Sequence, residues 1–320
     1  MLRSFLIYLS KASWARRIIT SWDFAWRAAS RFVAGETPES ALEAIARLNE
    51  KGIDCTLDHL GEHTTTPEIA VKATKDILFI LDAIENNGLR ANVSIKLTQV
   101  GLALDEELCA QNLERILDYA EEHHNFVRVD MEDSPWIDKT LGIYHRMRDN
   151  CGCENVGVVL QAYMYRSKAD MAKILAKDGR VRVCKGAYKE PPEIAYPDKK
   201  EVDRNYDRLA RQLIDGALAS GAPTISADRK VPPIPAIATH DEQRIINAKA
   251  YAQEVGLPKD ALEFQLLYGI RRELQEQLAA EGYPVRVYVP YGTEWYPYFT
   301  RRLAERPANL WFFLSNLFRK

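Results

Sequence analysis

The chain has 320 residues, 47% of them hydrophobic and 28% charged, with a formal charge of -2 at pH 7. That length fits one large α/β domain around a single core, and the near-balanced charge excludes a general attraction for nucleic acid. Of its five cysteines, Cys55, Cys109 and Cys184 sit in or beside apolar runs and Cys151 and Cys153 form an isolated CxC, a pattern that predicts reduced thiols in a cytoplasmic compartment.

Residues 5–27 read FLIYLSKASWARRIITSWDFAWR and the chain ends with ANLWFFLSNLFRK, both apolar and basic. The first apolar run, Phe5 to Leu9, is too short for the core of a secretion signal, and no run reaches the ~18 residues of a membrane span. Two arrangements remain open for these ends: helices packed on a core, or amphipathic helices lying on the inner face of the cytoplasmic membrane. Residues 1–50 are expected to be a helical segment packing on a single main domain, residues 51–320. Within the first segment, TPESALEAIARLNEKG supplies Thr37 as N-cap, Pro38 in the first turn and Gly52 past the end.

Beyond residue 50 short β-branched runs alternate with helical stretches: GIDCTLDHL, ANVSIKLTQVG, NFVRVDME, NVGVVLQAY, RVRVCKGAY, PAIATHD, LEFQLLYG and VRVYVPYG. Strands separated by helices imply parallel pairing through right-handed crossovers, and eight such units have the size of a (β/α)8 barrel. A doubly wound open sheet is the rival, but no GxGxxG follows the first strand and no GxxxxGK[ST] occurs. The richest loop, APTISADRKVPPIP before the sixth strand, reads as a long surface connection.

Barrel enzymes place their chemistry at the C-terminal ends of the strands. Those ends are polar here: Asp58 with Glu62 beyond it, Lys96, Asp130 and Glu132, Gln161, Arg182 with Lys185 and Tyr188, Thr239 and His240, Tyr268, and Tyr288. Unpartnered buried charge costs several kcal/mol, so such a ring implies either internal salt bridges, Lys96 with Asp130 for example, or a ligand. No metal site is expected. Gly61 separates His59 from His63, the CxC has no second pair, and His123 with His124 lies in an acidic segment. Two chemistries fit the ring: a Schiff base on a desolvated Lys185 or Lys96, as in a lyase or aldolase, or a phosphate-bearing cofactor such as a flavin. Arg182, Lys185, Gly186 and Ala187 favour the second, because glycine admits close backbone approach and fixed cations stabilise a flavin ring that accepts hydride.

Near the C-terminus, YPYFTRRLAERP sets Arg301 beside Arg302. Neighbours on a helix point about 100 degrees apart and usually serve different partners, Glu305 among them. In a helix packed over the barrel mouth, amid Tyr291, Trp295, Tyr296, Tyr298 and Phe299, both guanidinium groups can instead converge on one small carboxylate, each through charge-assisted hydrogen bonds.

The motifs SIKLTQVG, VDMEDS, VLQAY, RVCKGAY, ATHD, FQLLYG, YVPYG and RRLAE, in this order and spacing, resemble the proline dehydrogenases in their short monofunctional bacterial form. The resemblance runs from about residue 50 to residue 310. It implies a distorted barrel with non-covalent FAD, oxidation of L-proline to Δ1-pyrroline-5-carboxylate, electrons passed to a membrane quinone, and a separate pyrroline-5-carboxylate dehydrogenase downstream. Carried over by position, it assigns Arg301, Arg302 and Lys96 to the proline carboxylate and Tyr288, Tyr188 and Leu267 to the walls around the pyrrolidine ring. Glu62 becomes the mobile partner closing over Arg301, and Glu305 belongs to the same substrate-binding set. Asp130 and Arg182 match catalytic positions. Met131, Gln161, Arg182, Lys185, Gly186, Ala187, Thr239 and His240 match cofactor contacts. The sequence departs from the larger bifunctional relatives at Cys184 and Lys189.

Overall fold

A computed structural model describes Ile19, residues 23–62 and residues 64–305. His63 and the expected interfacial segments at the two ends fall outside these residues, except for Ile19 and residues 23–27 of the first.

The β-branched runs form the strands β1 (Asp54–His59), β2 (Ala91–Lys96), β3 (Val127–Asp130), β4 (Val156–Gln161), β5 (Arg180–Cys184), β6 (Pro235–Ala238), β7 (Glu263–Leu267) and β8 (Val285–Tyr291). They pair in parallel in chain order, and β1 pairs with β8 to close the barrel, from Asp54 opposite Arg286 to His59 opposite Tyr291. All eight expected strands are present, and the expected (β/α)8 architecture is the observed one. The crossovers are α3 (Pro67–Asn86), α4 (Glu106–Glu122), α5 (Ser134–Asp149), α6 (Ser167–Leu175), α7 (Lys199–Ala219), α8 (Glu242–Glu254) and α9 (Arg272–Ala280). Several begin at side chains that satisfy an otherwise unpaired first-turn amide, as where Asp105 accepts from Leu108 N at 2.7 Å.

Ahead of the barrel lie α1 (Asp23–Ala29) and α2 (Pro38–Glu50); α10 (Trp295–Glu305) follows it. Thr37 Oγ1 caps α2 by accepting from Ser40 N, and Gly52 just beyond takes φ of +74°, as the sequence requires. Ala41, Ala44 and Ile45 of α2 join the core formed by the outward faces of the strands and the crossover helices. A second apolar cluster ties α1 to α10 through Ala25, Ala28, Phe32, Trp295 and Phe299, and Leu267 and Tyr288 pack against it. This cluster holds α10 over the C-terminal ends of β7 and β8.

Inside the barrel the packing is polar. Alternation along a strand sends every second side chain inward. The inward set includes Ser94 and Lys96 on β2, Arg128 and Asp130 on β3, Arg182 on β5, Glu263 and Gln265 on β7, and Arg286 and Tyr288 on β8, all joined by hydrogen bonds or stacking across the lumen. The APTISADRKVPPIP segment differs from its expected role as a surface connection, because it crosses the N-terminal end of the barrel. Arg229 reaches the fully buried Asp54 (Nη2 to Oδ2, 2.9 Å), the carbonyl of Lys230 accepts from the Asn92 amide at 2.9 Å, and the Lys230 ammonium pairs with Glu85. A buried carboxylate at the start of β1 needs cations, and this loop supplies one of them.

Candidate active site

The end of β3 delivers Asp130 to the barrel mouth, where its two oxygens are fully employed. Oδ1 accepts from Arg182 Nη1 and from Ser94 Oγ, both at 2.7 Å; Oδ2 accepts from the Tyr288 hydroxyl at 2.8 Å and lies 3.6 Å from the Lys96 ammonium. Burial works to raise this carboxyl, but Arg182 and Lys96 hold it below the ordinary aspartate range. The expected pairing of Lys96 with Asp130 is present only as the longer of two contacts. The first partner of Lys96 is Asp58, at 3.1 and 3.2 Å. Burial opposes the charge on Lys96, yet Asp58 and Asp130 outweigh it and keep the ammonium protonated far into the alkaline range. Burial and the two aspartates together also hold the Tyr288 phenol neutral. The Arg182 guanidinium lies 5.4 Å from the centre of the Tyr288 ring.

Above this cluster is a cavity of about 570 Å³. Lys96, Asp130, Arg182, Tyr188, Leu267, Tyr288, Arg301 and Arg302 line it, together with Met131, Gln161, Lys185, Gly186, Ala187, Thr239 and His240. All the residues assigned by resemblance therefore meet around one space, apart from two glutamates. Glu62 stands beside it, bonded to Arg301 at 2.7 and 3.4 Å. Glu305 ends α10, and its side chain lies outside the described residues. The neighbouring arginines do serve different partners while facing the same cavity: Arg301 takes Glu62, and Arg302 lies 5.1 Å over the Tyr298 ring. Burial would weaken the charge on Arg301, and Glu62 more than restores it.

The remainder of the wall fits a large planar, phosphate-bearing cofactor of the flavin class. Gln161 is buried, its Nε2 donates to the carbonyls of Met131 (3.3 Å) and Glu132 (3.4 Å), and its Oε1 has no partner among the described residues. A buried acceptor so placed calls for a donor. Gly186 takes φ of +110°, and a Cβ there would lie 2.4 Å from the Tyr163 ring, so only glycine leaves the backbone of this wall where it is. Lys185 is held between Asp203 and Asp241, and His240 Nε2 accepts from Leu267 N at 3.0 Å.

The same pairings weigh against a Schiff base. A nucleophilic lysine must lose its proton near neutrality. Asp58 and Asp130 raise Lys96 and keep it charged, and the Lys185 ammonium is clamped between the carboxylates of Asp203 and Asp241 rather than presented to the cavity as a nucleophile.

Just outside the cavity, Glu132 is almost completely buried, accepting from Thr98 Oγ1 at 2.6 Å and Thr98 N at 3.3 Å. Burial pushes its carboxyl up to about 7 against the hydrogen bonds from Thr98. The carbonyl of Thr98 in turn receives Thr64 N (3.2 Å) and Thr64 Oγ1 (3.1 Å), which anchors Thr64.

Ser94, Gln265 and Asp241 border the site without having been singled out from sequence. Alternation was the available signal for the first two: Ser94 is two residues before Lys96, and Gln265 two before Leu267, so each shares its inward face. The partnership of Asp203 and Asp241 with Lys185 has no local signature, since it joins the starts of α7 and α8.

A closed parallel barrel with a charged mouth and a cofactor-sized cavity at the strand ends defines a (β/α)8 enzyme. Residues 41–313 match the family model for proline dehydrogenase. The chain is 43% identical over 295 residues to a proline dehydrogenase of Deinococcus radiodurans, covering 91% of this chain and 90% of that one. It is 38% identical over 319 residues to proline dehydrogenase 2 of Bacillus subtilis strain 168, covering 99% of each. Among solved structures, proline utilization A from Bdellovibrio bacteriovorus inactivated by N-propargylglycine superposes with a TM-score of 0.78 at 24% identity, over 88% of this chain and 33% of that one, which supports the fold. The chain belongs to the proline dehydrogenase family, in its monofunctional bacterial form, and is an oxidoreductase. Among the described residues no helix is long and apolar enough to cross a membrane.

Proposed function

We propose that this proline dehydrogenase uses non-covalent FAD to convert L-proline to Δ1-pyrroline-5-carboxylate and passes the electrons to a quinone. The observation that carries the reading is the convergence of Arg301, Arg302, Arg182 and Asp130 on one cavity, with aromatic side chains between the cationic groups. Arg301 and Arg302 bind the substrate carboxylate, with Lys96 adding its charge from below. Tyr188, Leu267 and Tyr288 enclose the pyrrolidine ring. Glu62, already bonded to Arg301, closes the entrance and excludes water. Glu305 completes the substrate side. Asp130 holds Arg182 and the Tyr288 hydroxyl in fixed positions, so they cost no reorganisation when charge develops.

Gln161, Lys185, Gly186, Ala187, Thr239 and His240, with Met131 and Arg182, would hold the flavin. When bound, the flavin supplies the two-electron acceptor for the hydride on the carbon beside the substrate nitrogen. Proline reacts as the neutral amine, because the nitrogen lone pair must be free to form the C=N bond. The described residues that precede the barrel, with the helices Asp23–Ala29 and Pro38–Glu50, form one domain with it. The apolar, basic termini provide peripheral contact with a quinone-bearing membrane, and the product leaves for a separate pyrroline-5-carboxylate dehydrogenase.

The test is the visible absorption spectrum of the purified protein, repeated anaerobically after L-proline is added. A flavin spectrum that bleaches on addition is expected. A flavin indifferent to L-proline, or a colourless protein that FAD does not reconstitute, would overturn the reading.

A further inference from the structure

The lumen of the barrel contains a hydrogen-bonded chain that the proposed reaction does not yet use. Glu263 and Gln265 stand two residues apart on β7, both buried and both facing inward. Gln265 Oε1 accepts from Arg182 Nε, and Gln265 Nε2 donates to Glu263 Oε1. Glu263 Oε2 accepts from Arg286 Nε at 2.9 Å. Arg286 is itself anchored to the carbonyls of Cys55 at 2.7 Å and Arg229 at 2.8 Å. The chain thus begins at the loop that closes the floor of the barrel and ends at the cavity wall, which Gln265 and Arg182 both line.

Each link in this chain has one possible direction. A guanidinium group only donates, and the Glu263 carboxylate, fully buried against Arg286, only accepts. The amide between them must therefore turn its oxygen to Arg182 and its nitrogen to Glu263. Arg182 is consequently held at two points: Nη1 by Asp130 and Ser94, at 2.7 and 3.3 Å, and Nε by Gln265. One anchor fixes the distance of a planar group. Two fix its plane.

We propose that Gln265 is a positioning residue: locked by the Glu263–Arg286 pair, it sets the plane of the Arg182 guanidinium at the cavity wall. The inference rests on Arg182 acting at the site of oxidation, as proposed above. If Gln265 is replaced by a side chain of equal length without polar ends, Nε loses its acceptor in a buried place and the guanidinium turns about its remaining contacts.

The experiment compares Gln265→Met, Gln265→Glu and Arg182→Leu in the flavin-loaded protein. Anaerobic stopped-flow reduction by L-proline separates the limiting rate from the apparent Kd, and dye equilibration without proline measures the flavin reduction potential. Gln265→Met is expected to slow the limiting rate about tenfold, the loss usual when the partner orienting a reactive group is removed. It should also lower the potential, as a fixed cation moves out of place, and leave the Kd for proline within about twofold. Gln265→Glu keeps an oxygen for Arg182 and can share a proton with Glu263, so both rate and potential should return close to those of the unsubstituted protein. Gln265→Met with unchanged rate and potential, beside an Arg182→Leu that loses both, would overturn the inference and leave the role of Arg182 intact. Gln265→Glu as impaired as Gln265→Met would also overturn it. An Arg182→Leu that retains both rate and potential would remove the reading on which the inference rests.

Discussion

Replacing Glu132 by glutamine should make the protein relatively more stable as pH rises. In the folded state this carboxyl titrates near 7, raised from 4.5 by burial. Between those two values the unfolded chain has lost the proton and the folded chain retains it, so this group's contribution to stability falls with rising pH at 1.36 kcal/mol per unit. The stability it lends is complete below about pH 4.5 and gone above about pH 7. The residue is 2% exposed, so solvent screening does not reduce the effect much. Glutamine reproduces the protonated acid. Its oxygen accepts from Thr98 N, and its amide donates to Thr98 Oγ1, a hydroxyl that can reverse direction. Other groups titrate in both proteins and cancel in the difference. Urea unfolding of the two proteins at pH 5 and pH 8 should show Glu132→Gln gaining about 2.5 kcal/mol on the parent between the two conditions. A difference in stability that stays constant across this range would refute the argument.

Arg302→Lys should raise KM for proline about tenfold with little change in kcat, because a point charge cannot reproduce a planar two-pronged contact; unchanged affinity would remove Arg302 from the carboxylate site. Gly186→Ala should cost about 2 kcal/mol or more, from a positive φ and a Cβ driven into the Tyr163 ring, and lower flavin occupancy; thermal unfolding and the absorbance ratio at purification measure both. Glu263→Ala should destabilise by about 3–5 kcal/mol, because it leaves the fully buried Arg286 without its carboxylate, and chemical denaturation reads this directly. Turnover should rise with pH through deprotonation of the substrate amine, since Lys96 and Arg301 hold their protons throughout; a rate flat from neutral to alkaline pH would contradict the neutral-amine requirement.

The barrel was legible because each strand is a compact run of mostly β-branched or other apolar residues between helical stretches, a signal contained within ten or so residues. The residues at the strand ends were legible for the same reason: in RVCKGAY or ATHD, polarity interrupts an apolar run at the point where the strand ends. The partnerships among them were not. Lys96 meets Asp58 before Asp130, and Arg182 is shared between Asp130 and Gln265, because the lumen brings together strands far apart in the chain. The APTISADRKVPPIP segment misled for a related reason. Its Pro and Ser content marks a loop, while its structural role depends on Asp54 and Asn92, more than 130 residues earlier.

The closure of β1 onto β8 has a consequence for synthesis. Asp54 pairs with Arg286, about 230 residues later in the chain. At roughly 5 to 20 residues per second, β1 leaves the ribosome about 12 to 46 s before its second neighbour exists. During that interval β2 can occupy one edge, and the other presents free backbone groups to solvent. The strand carries Asp54 near its start and Asp58 near its end, charges that in the finished protein meet arginine and lysine. On the nascent chain those carboxylates stand on the face of a strand whose second edge is still open, and charge on such a strand disfavours its pairing with another polypeptide. Charges that hold the mature barrel together are thus also of the kind that blunts an open strand edge.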